Sequence, residues 1–184
     1  SDLIADEFHK RGAEVTLVIG PVTQPLYGNY SIEKVTSAAE MYTACVRIFP
    51  GVDMAVMSAA VADYTISNPS PQKIKKQHGT LTIELNKTAD ILKTMGENKR
   101  DNQFLAGFAL ETNNEKEFAL KKLHSKNADM IVLNSLNDAG AGFGHNTNKI
   151  TIFDKKGNEF HFDTKSKTAL AADIVNTILK ISNV

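Results

Sequence analysis

The chain is 184 residues long, 42% hydrophobic and 23% charged, which fits one domain with a buried core. Lysine plus arginine and aspartate plus glutamate each total 21; this zero balance argues against a broad nucleic-acid surface but leaves room for a local basic pocket. Cys45 is the only cysteine, which excludes an intrachain disulfide and fits a reducing cytoplasm. No apolar stretch approaches a membrane span and no secretory signal is visible, so neither nucleic acid nor membrane is expected as a partner.

Residues 4–11 read as a helix already under way, with Leu3, Ile4, Ala5 and Phe8 spaced for one face. A doubly wound domain usually opens with a strand and a glycine-rich turn before its first helix. Neither precedes this helix, so the sequence is expected to lack that opening segment. Residues 14–19 form a β-rich run closed by Gly20-Pro21, and residues 31–35 alternate. Residues 38–49 are helical by pattern, with Cys45 on the apolar face as core, not nucleophile. The continuous apolar run 54–60 fits a buried parallel strand. Residues 81–85 alternate, 90–99 read as a helix and 104–109 as a second buried strand.

A helix over 114–126 follows, with Asn114 and Glu117 placed for a capping interaction. Residues 130–133 are a third core strand. Residues 149–153 and 159–162 flank Lys155-Lys156-Gly157-Asn158 as a hairpin, and 168–181 form a closing helix. The alternation predicts an α/β fold: a Rossmann-like three-layer sandwich, mostly parallel, with a late antiparallel hairpin at one edge. No repeat or linker divides residues 1–184.

Ligands in such sheets bind beyond the carboxyl ends of the strands. Ala59-Ala60, Phe108 and Asn134 all fall at predicted strand ends, which places three separated segments at one crevice. The run SAAVADY, from Ser58 to Tyr64, is the most informative stretch. Its small residues let a ligand approach the backbone, and Asp63 adds a carboxylate at the rim. Lys73-Ile74-Lys75-Lys76 then adds mobile positive charge suited to a polyphosphate. Taken alone, a lysine-rich loop behind Pro69 and Pro71 is a solvated surface.

On the 114–126 helix, Phe118, Ala119, Leu120 and Leu123 define the expected buried arc. Lys122 and Lys126 fall about 40° and about 80° from Phe118, inside that arc. Snorkelling stems and phosphate or base binding both fit this pattern. Three tempting signals are set aside. The Tyr30 and Lys34 spacing of short-chain dehydrogenases needs a helix where this chain reads as strand. No P-loop occurs. The scattered histidines do not suggest a protein-held zinc.

SAAVADY with KIKK resembles the phosphopantothenate–cysteine ligase family, usually the C-terminal half of a bifunctional bacterial protein of coenzyme A biosynthesis. Lys87 to Leu92, Gly107 to Asn113, Lys122, Lys126, Asn134 to Asp138 and Gly142-Phe143-Gly144 follow in the family's order. The resemblance implies a nucleotide site of Ala59, Ala60, Asp63, Lys73, Ala89, Asp90, Ile91, Leu92, Phe108, Lys122 and Lys126. Within it, Lys73 is the catalytic lysine, Phe108 lines the cytosine pocket, and residues 89–92 read the base through their backbone. Thr88 and Ala89 replace the family's commoner Asn and Pro, and Asn146 stands where many relatives have Asp.

The implied co-substrates are CTP with Mg2+, 4'-phosphopantothenate and L-cysteine, in a cytoplasmic homodimer with a flavin-dependent decarboxylase fused upstream in some relatives. The implied reaction activates the phosphopantothenate carboxylate as an acyl-cytidylate, which the cysteine amine then attacks. Two other readings are a nicotinamide-dinucleotide oxidoreductase and a non-catalytic nucleotide-binding module. An acidic residue closing the second predicted strand would favour the oxidoreductase, but Pro21 and Val22 follow that run.

Overall fold

The structure is a computed structural model and describes residues 2–22, 28–70, 72–73, 79–135 and 147–182. Helix α1 (Asp2–Lys10) leads into strands β1 (Thr16–Ile19) and β2 (Ser31–Lys34), which pair in parallel. Helix α2 (Ala38–Ile48) is capped by the Ser37 side chain and runs into a 3-10 turn, Phe49–Gly51. Strands β3 (Met54–Met57), β4 (Tyr64–Ile66) and β5 (Leu85–Lys87) follow, then helix α3 (Ile91–Asn98). Strand β6 (Phe104–Glu111), helix α4 (Glu115–Ser125) and strand β7 (Met130–Ser135) form a crossover unit. Strands β8 (Thr147–Asp154) and β9 (Glu159–Ser166) and helix α5 (Lys167–Ser182) complete the chain.

The central sheet has the order β3-β6-β7-β8-β9. Strands β3, β6 and β7 are mutually parallel; β8 and β9 add the antiparallel edge expected from the hairpin sequence. Strand alternation divides the core. Leu105, Ile131 and Leu133 pack with α2, α3 and α4 on one face. Ala106, Met130, Val132 and Ile152 pack with α1 and α5 on the other. These two apolar layers make the three-layer α/β fold that the alternating pattern predicts. Gly107 is required where α3 meets β6: a Cβ there would lie 2.7 Å from a Leu92 methyl and 2.9 Å from Ile131 Cδ1.

Among the described residues, β1 pairs with β2 alone and β3 with β6 alone. Between β1 and β3 lies an apolar slot of about 210 Å3, walled by Leu17, Ile19, Met41, Ala55 and Met57.

Four sequence expectations are corrected. The strand expected over 54–60 ends at Met57, because its last register pair with β6 is Met57 with Gly107. The alternating run 81–85 enters a strand only at Leu85, and that strand pairs with β4 as a short antiparallel ribbon. Leu81, Ile83 and Leu85 are each more than half exposed, so the alternation marks no buried sheet face. Asn114 does not cap α4 with its side chain: φ is +47°, outside the extended conformation a side-chain cap uses. Phe118 is 41% exposed, while Ala119 and Leu123 form the buried seam.

Candidate functional site

A cleft of about 710 Å3 opens beyond the carboxyl ends of β3 and β6. Ala59, Ala60, Asp63, Phe108, Lys122 and Asn134 all line it, so the crevice expected from separated strand ends does form. The small side chains after β3 leave its backbone open to the cleft, with Ala59 and Ala60 exposed.

The segment carrying residues 89–92 is fastened to this loop by Thr88. Its hydroxyl donates to the Ala62 carbonyl at 2.6 Å and its N–H to the Asp63 carbonyl at 2.9 Å. Ile91 and Leu92 then turn into the core. Ala89 and Asp90 stay exposed, the Asp90 carboxylate being engaged within the fold. Ala89, Asp90, Ile91, Leu92 and Lys126 do not line the cleft itself.

Asp90 has two structural partners. One carboxylate oxygen accepts the Lys93 N–H at 2.9 Å and starts α3; the other accepts Lys126 Nζ at 2.6 Å. Burial pushes the Asp90 pKa up, but the bonds from Lys126 and the Lys93 N–H outweigh it and hold the group below its usual value.

Lys122 is half-buried and reaches β6, where Nζ donates to the Phe108 carbonyl at 2.7 Å. Burial pushes its pKa down, opposed mainly by the negative charge of Glu111 and then of Asp90 and Asp63. A partly desolvated cation with donors to spare, held on the backbone of β6 and lining the cleft, suits an anionic group such as a phosphate. Its inward position on the helical wheel was legible in the sequence.

Lys73 is exposed and does not line the cleft. The companions Lys75 and Lys76, and the loop of Gly142-Phe143-Gly144 with Asn146, lie outside the described residues. The cleft also gathers Glu111, Asn148 and Lys167, which sequence reading did not single out. Asn148 Nδ2 donates to Asn134 Oδ1 at 3.0 Å, joining β8 to β7 at the cleft wall. Glu111 lies beyond the strand expected over 104–109; β6 runs two residues further, to Glu111, and brings it to the cleft.

The cleft can therefore hold an anion against Lys122, stack a ring near Phe108 and admit a small substrate to the backbone at Ala59 and Ala60. A "Cysteine/Cysteine sulfinic acid decarboxylase" from an unknown prokaryotic organism is 50% identical, covering 97% of this chain and 50% of that protein. The "Coenzyme A biosynthesis bifunctional protein CoaBC" of Bacillus subtilis is 41% identical, covering 97% of this chain and 44% of that protein. The chain thus spans about half the length of the curated relatives it matches.

Among solved structures, the C-terminal domain of a CoaBC protein superposes with a TM-score of 0.79 at 38% identity, covering 98% of this chain and 82% of that one. A Cab2 mutant in complex with phosphopantothenate-cysteine shares the fold, with a TM-score of 0.66 at 16% identity over 84% of this chain and 53% of that one. Residues 2–181 match the family described as the DNA/pantothenate metabolism flavoprotein C-terminal domain, and the chain belongs to that family.

Proposed function

We propose that this chain is the ligase unit of coenzyme A biosynthesis, joining 4'-phosphopantothenate to L-cysteine with CTP. The observation that carries the reading is the single cleft uniting Ala59, Ala60, Asp63, Phe108 and Lys122. The CoaBC relatives and the product named in the Cab2 complex agree with it.

In this reading the phosphopantothenate carboxylate attacks the α-phosphate of CTP, taken up as its magnesium complex, and pyrophosphate leaves. Lys73 neutralises charge on the departing phosphates. Lys122 holds the nucleotide phosphates, and Phe108 packs against the cytosine. Lys126 joins them by exchanging Asp90 for phosphate. The cysteine amine then attacks the activated carbonyl, an amide forms and CMP departs. No protein nucleophile is needed, since CTP supplies the leaving group and the protein supplies position and charge.

The chain is proposed to act as a cytoplasmic homodimer. Tyr64, Ile66 and Leu85 of the β4–β5 ribbon, with Leu81 and Ile83, present an exposed apolar surface suited to a second copy. The slot between β1 and β3 is proposed to take one further parallel strand, supplied from ahead of α1. In the whole protein, a flavin-dependent decarboxylase is proposed upstream; the decarboxylase named in the first relative belongs to a protein twice this length.

The test is pyrophosphate release with CTP, magnesium and 4'-phosphopantothenate, before and after cysteine, beside Lys73→Ala. Release dependent on phosphopantothenate, an amide formed only with cysteine, and loss of turnover in the variant are expected. CTP binding without pyrophosphate release would leave a nucleotide-binding module. Carbon dioxide release from cysteine alone would point to a decarboxylase instead.

A further inference from the structure

The geometry points to Glu111 as the group that binds the ammonium of the incoming amino acid and takes its proton in the amide-forming step. This inference rests on the ligase reading above and deepens it. An α-amino acid arrives at neutral pH as an ammonium, which has no lone pair. Its nitrogen attacks only after a proton has moved to an acceptor within reach.

Among the described residues lining the cleft, the carboxylates are Asp63 and Glu111. Asp63 lies exposed in the loop after β3, and its carbonyl holds Thr88 beside the segment assigned to the nucleotide. Glu111 ends β6 three residues beyond Phe108 and is half-buried. It is near enough to Lys122 to be the strongest charge opposing that lysine's desolvation. A cation that binds phosphate and an anion that binds ammonium therefore meet in one cleft. The Asn134–Asn148 amide pair lines the same cleft, able to hydrogen-bond the amino acid's carboxylate.

The step balances. The ammonium gives one proton to the Glu111 carboxylate. The freed lone pair forms the C–N bond at the acyl carbon, and the C–O bond to the nucleotide phosphate breaks with its electrons on CMP. The second nitrogen proton passes to the released phosphate or to water, and Glu111 returns its own proton to solvent. No oxidant or reductant takes part.

The test compares cysteine with hydroxylamine as acceptor, in the parent protein, Glu111→Gln and Glu111→Asp. Hydroxylamine is uncharged at neutral pH and needs no deprotonation, so it reports the activated acyl group directly. Amide formation with cysteine is expected to fall about 100-fold or more in Glu111→Gln. Hydroxamate formation should fall far less, and Glu111→Asp should recover part of the cysteine reaction. Equal amide formation in Glu111→Gln and parent overturns the assignment. So does an equal loss with both acceptors, which would place Glu111 in the fold or the first step. Failure of the ligase reading itself is visible separately, as absence of pyrophosphate release from the parent.

Discussion

Asp90 and Lys126 are joined across the junction of α3 and α4, Nζ to Oδ2 at 2.6 Å, while Oδ1 of the same carboxylate starts α3 through the Lys93 N–H. One turn earlier on α4, Lys122 grips the Phe108 carbonyl of β6. A single acidic side chain thus starts one helix and pairs with the lysine at the C-terminal cap of the other.

Asp90→Ala is expected to cost about 1–2 kcal/mol, most of it the lost cap and the rest a partly exposed ion pair. Asp90→Asn, which can still cap, should cost less. The low folded pKa of Asp90 fixes the sign of the pH dependence. Its contribution is present above the ordinary carboxylate range and is lost as pH falls through the folded value. Urea unfolding should show the gap between parent and Asp90→Ala widest at neutral pH and narrowing, by the ionic share alone, as pH falls below the ordinary carboxylate range. A constant gap would argue against the ionic part.

Gly96 lies where α3 presses on the end of α4. A Cβ there would sit 1.8 Å from the Lys126 carbonyl oxygen, and that oxygen belongs to backbone. Asn127, at φ +48°, donates its side-chain N–H to the Gly96 carbonyl at 2.8 Å and locks the approach. In an open helix, Gly→Ala would stabilise by about 1 kcal/mol. Here the helices must separate, so Gly96→Ala is expected to destabilise by about 1–3 kcal/mol. The same shift displaces Lys126 from Asp90 and should weaken CTP binding. A thermal melt with and without CTP reads both effects; a raised melting temperature would refute the clash.

How much of this was legible beforehand depends on burial. The apolar runs that became β3, β6 and β7 announce themselves because both faces of a parallel sheet are covered. The 155–158 turn is equally plain from Lys-Lys-Gly-Asn between alternating segments. The β4–β5 ribbon is not, because its apolar residues face outward and its pairing joins segments about 20 residues apart. Asn114 mimics a cap in sequence, but its φ is decided by the path from β6 into α4. The wheel placed Lys122 correctly and Phe118 wrongly, since the buried seam is narrower than the apolar arc. Glu111 and Asn148 reach the cleft through tertiary register alone. A shift in β8–β9 pairing falls between Asn148 and Ile150, beyond what any local pattern records.

Lys122 separates function from stability. Its pKa is lowered chiefly by burial, so its charged form is a cost to the fold at neutral pH, fading as pH rises toward the usual lysine range. Lys122→Met keeps the stem and removes the charge. Its melting temperature should match or exceed the parent's, while the rise produced by saturating CTP should be largely lost. A large fall in the unliganded melting temperature would instead make the bond to the Phe108 carbonyl the main role of this lysine.

Asp129 offers the opposite case, at the end of the sheet away from the cleft. It is 2% exposed and accepts Lys155 Nζ on one oxygen, with Lys99 Nζ at 2.7 Å and the Leu105 N–H at 2.8 Å on the other. Burial pushes its pKa up, yet these three donors hold it below the ordinary value. Lys99 is itself buried at 8% exposure, whereas Lys155 is 55% exposed. Asp129→Ala leaves the buried Lys99 ammonium with the Asn127 carbonyl but no counter-charge and strands the Leu105 N–H, so a loss of about 3–5 kcal/mol is expected. Lys155→Ala should cost about 0–1 kcal/mol, as solvent already screens that charge. The depressed pKa gives stability that holds at neutral pH and falls away only as pH drops below about 4. Chemical denaturation of both variants decides it: similar losses would mean that the two lysines share the load, contrary to their burial.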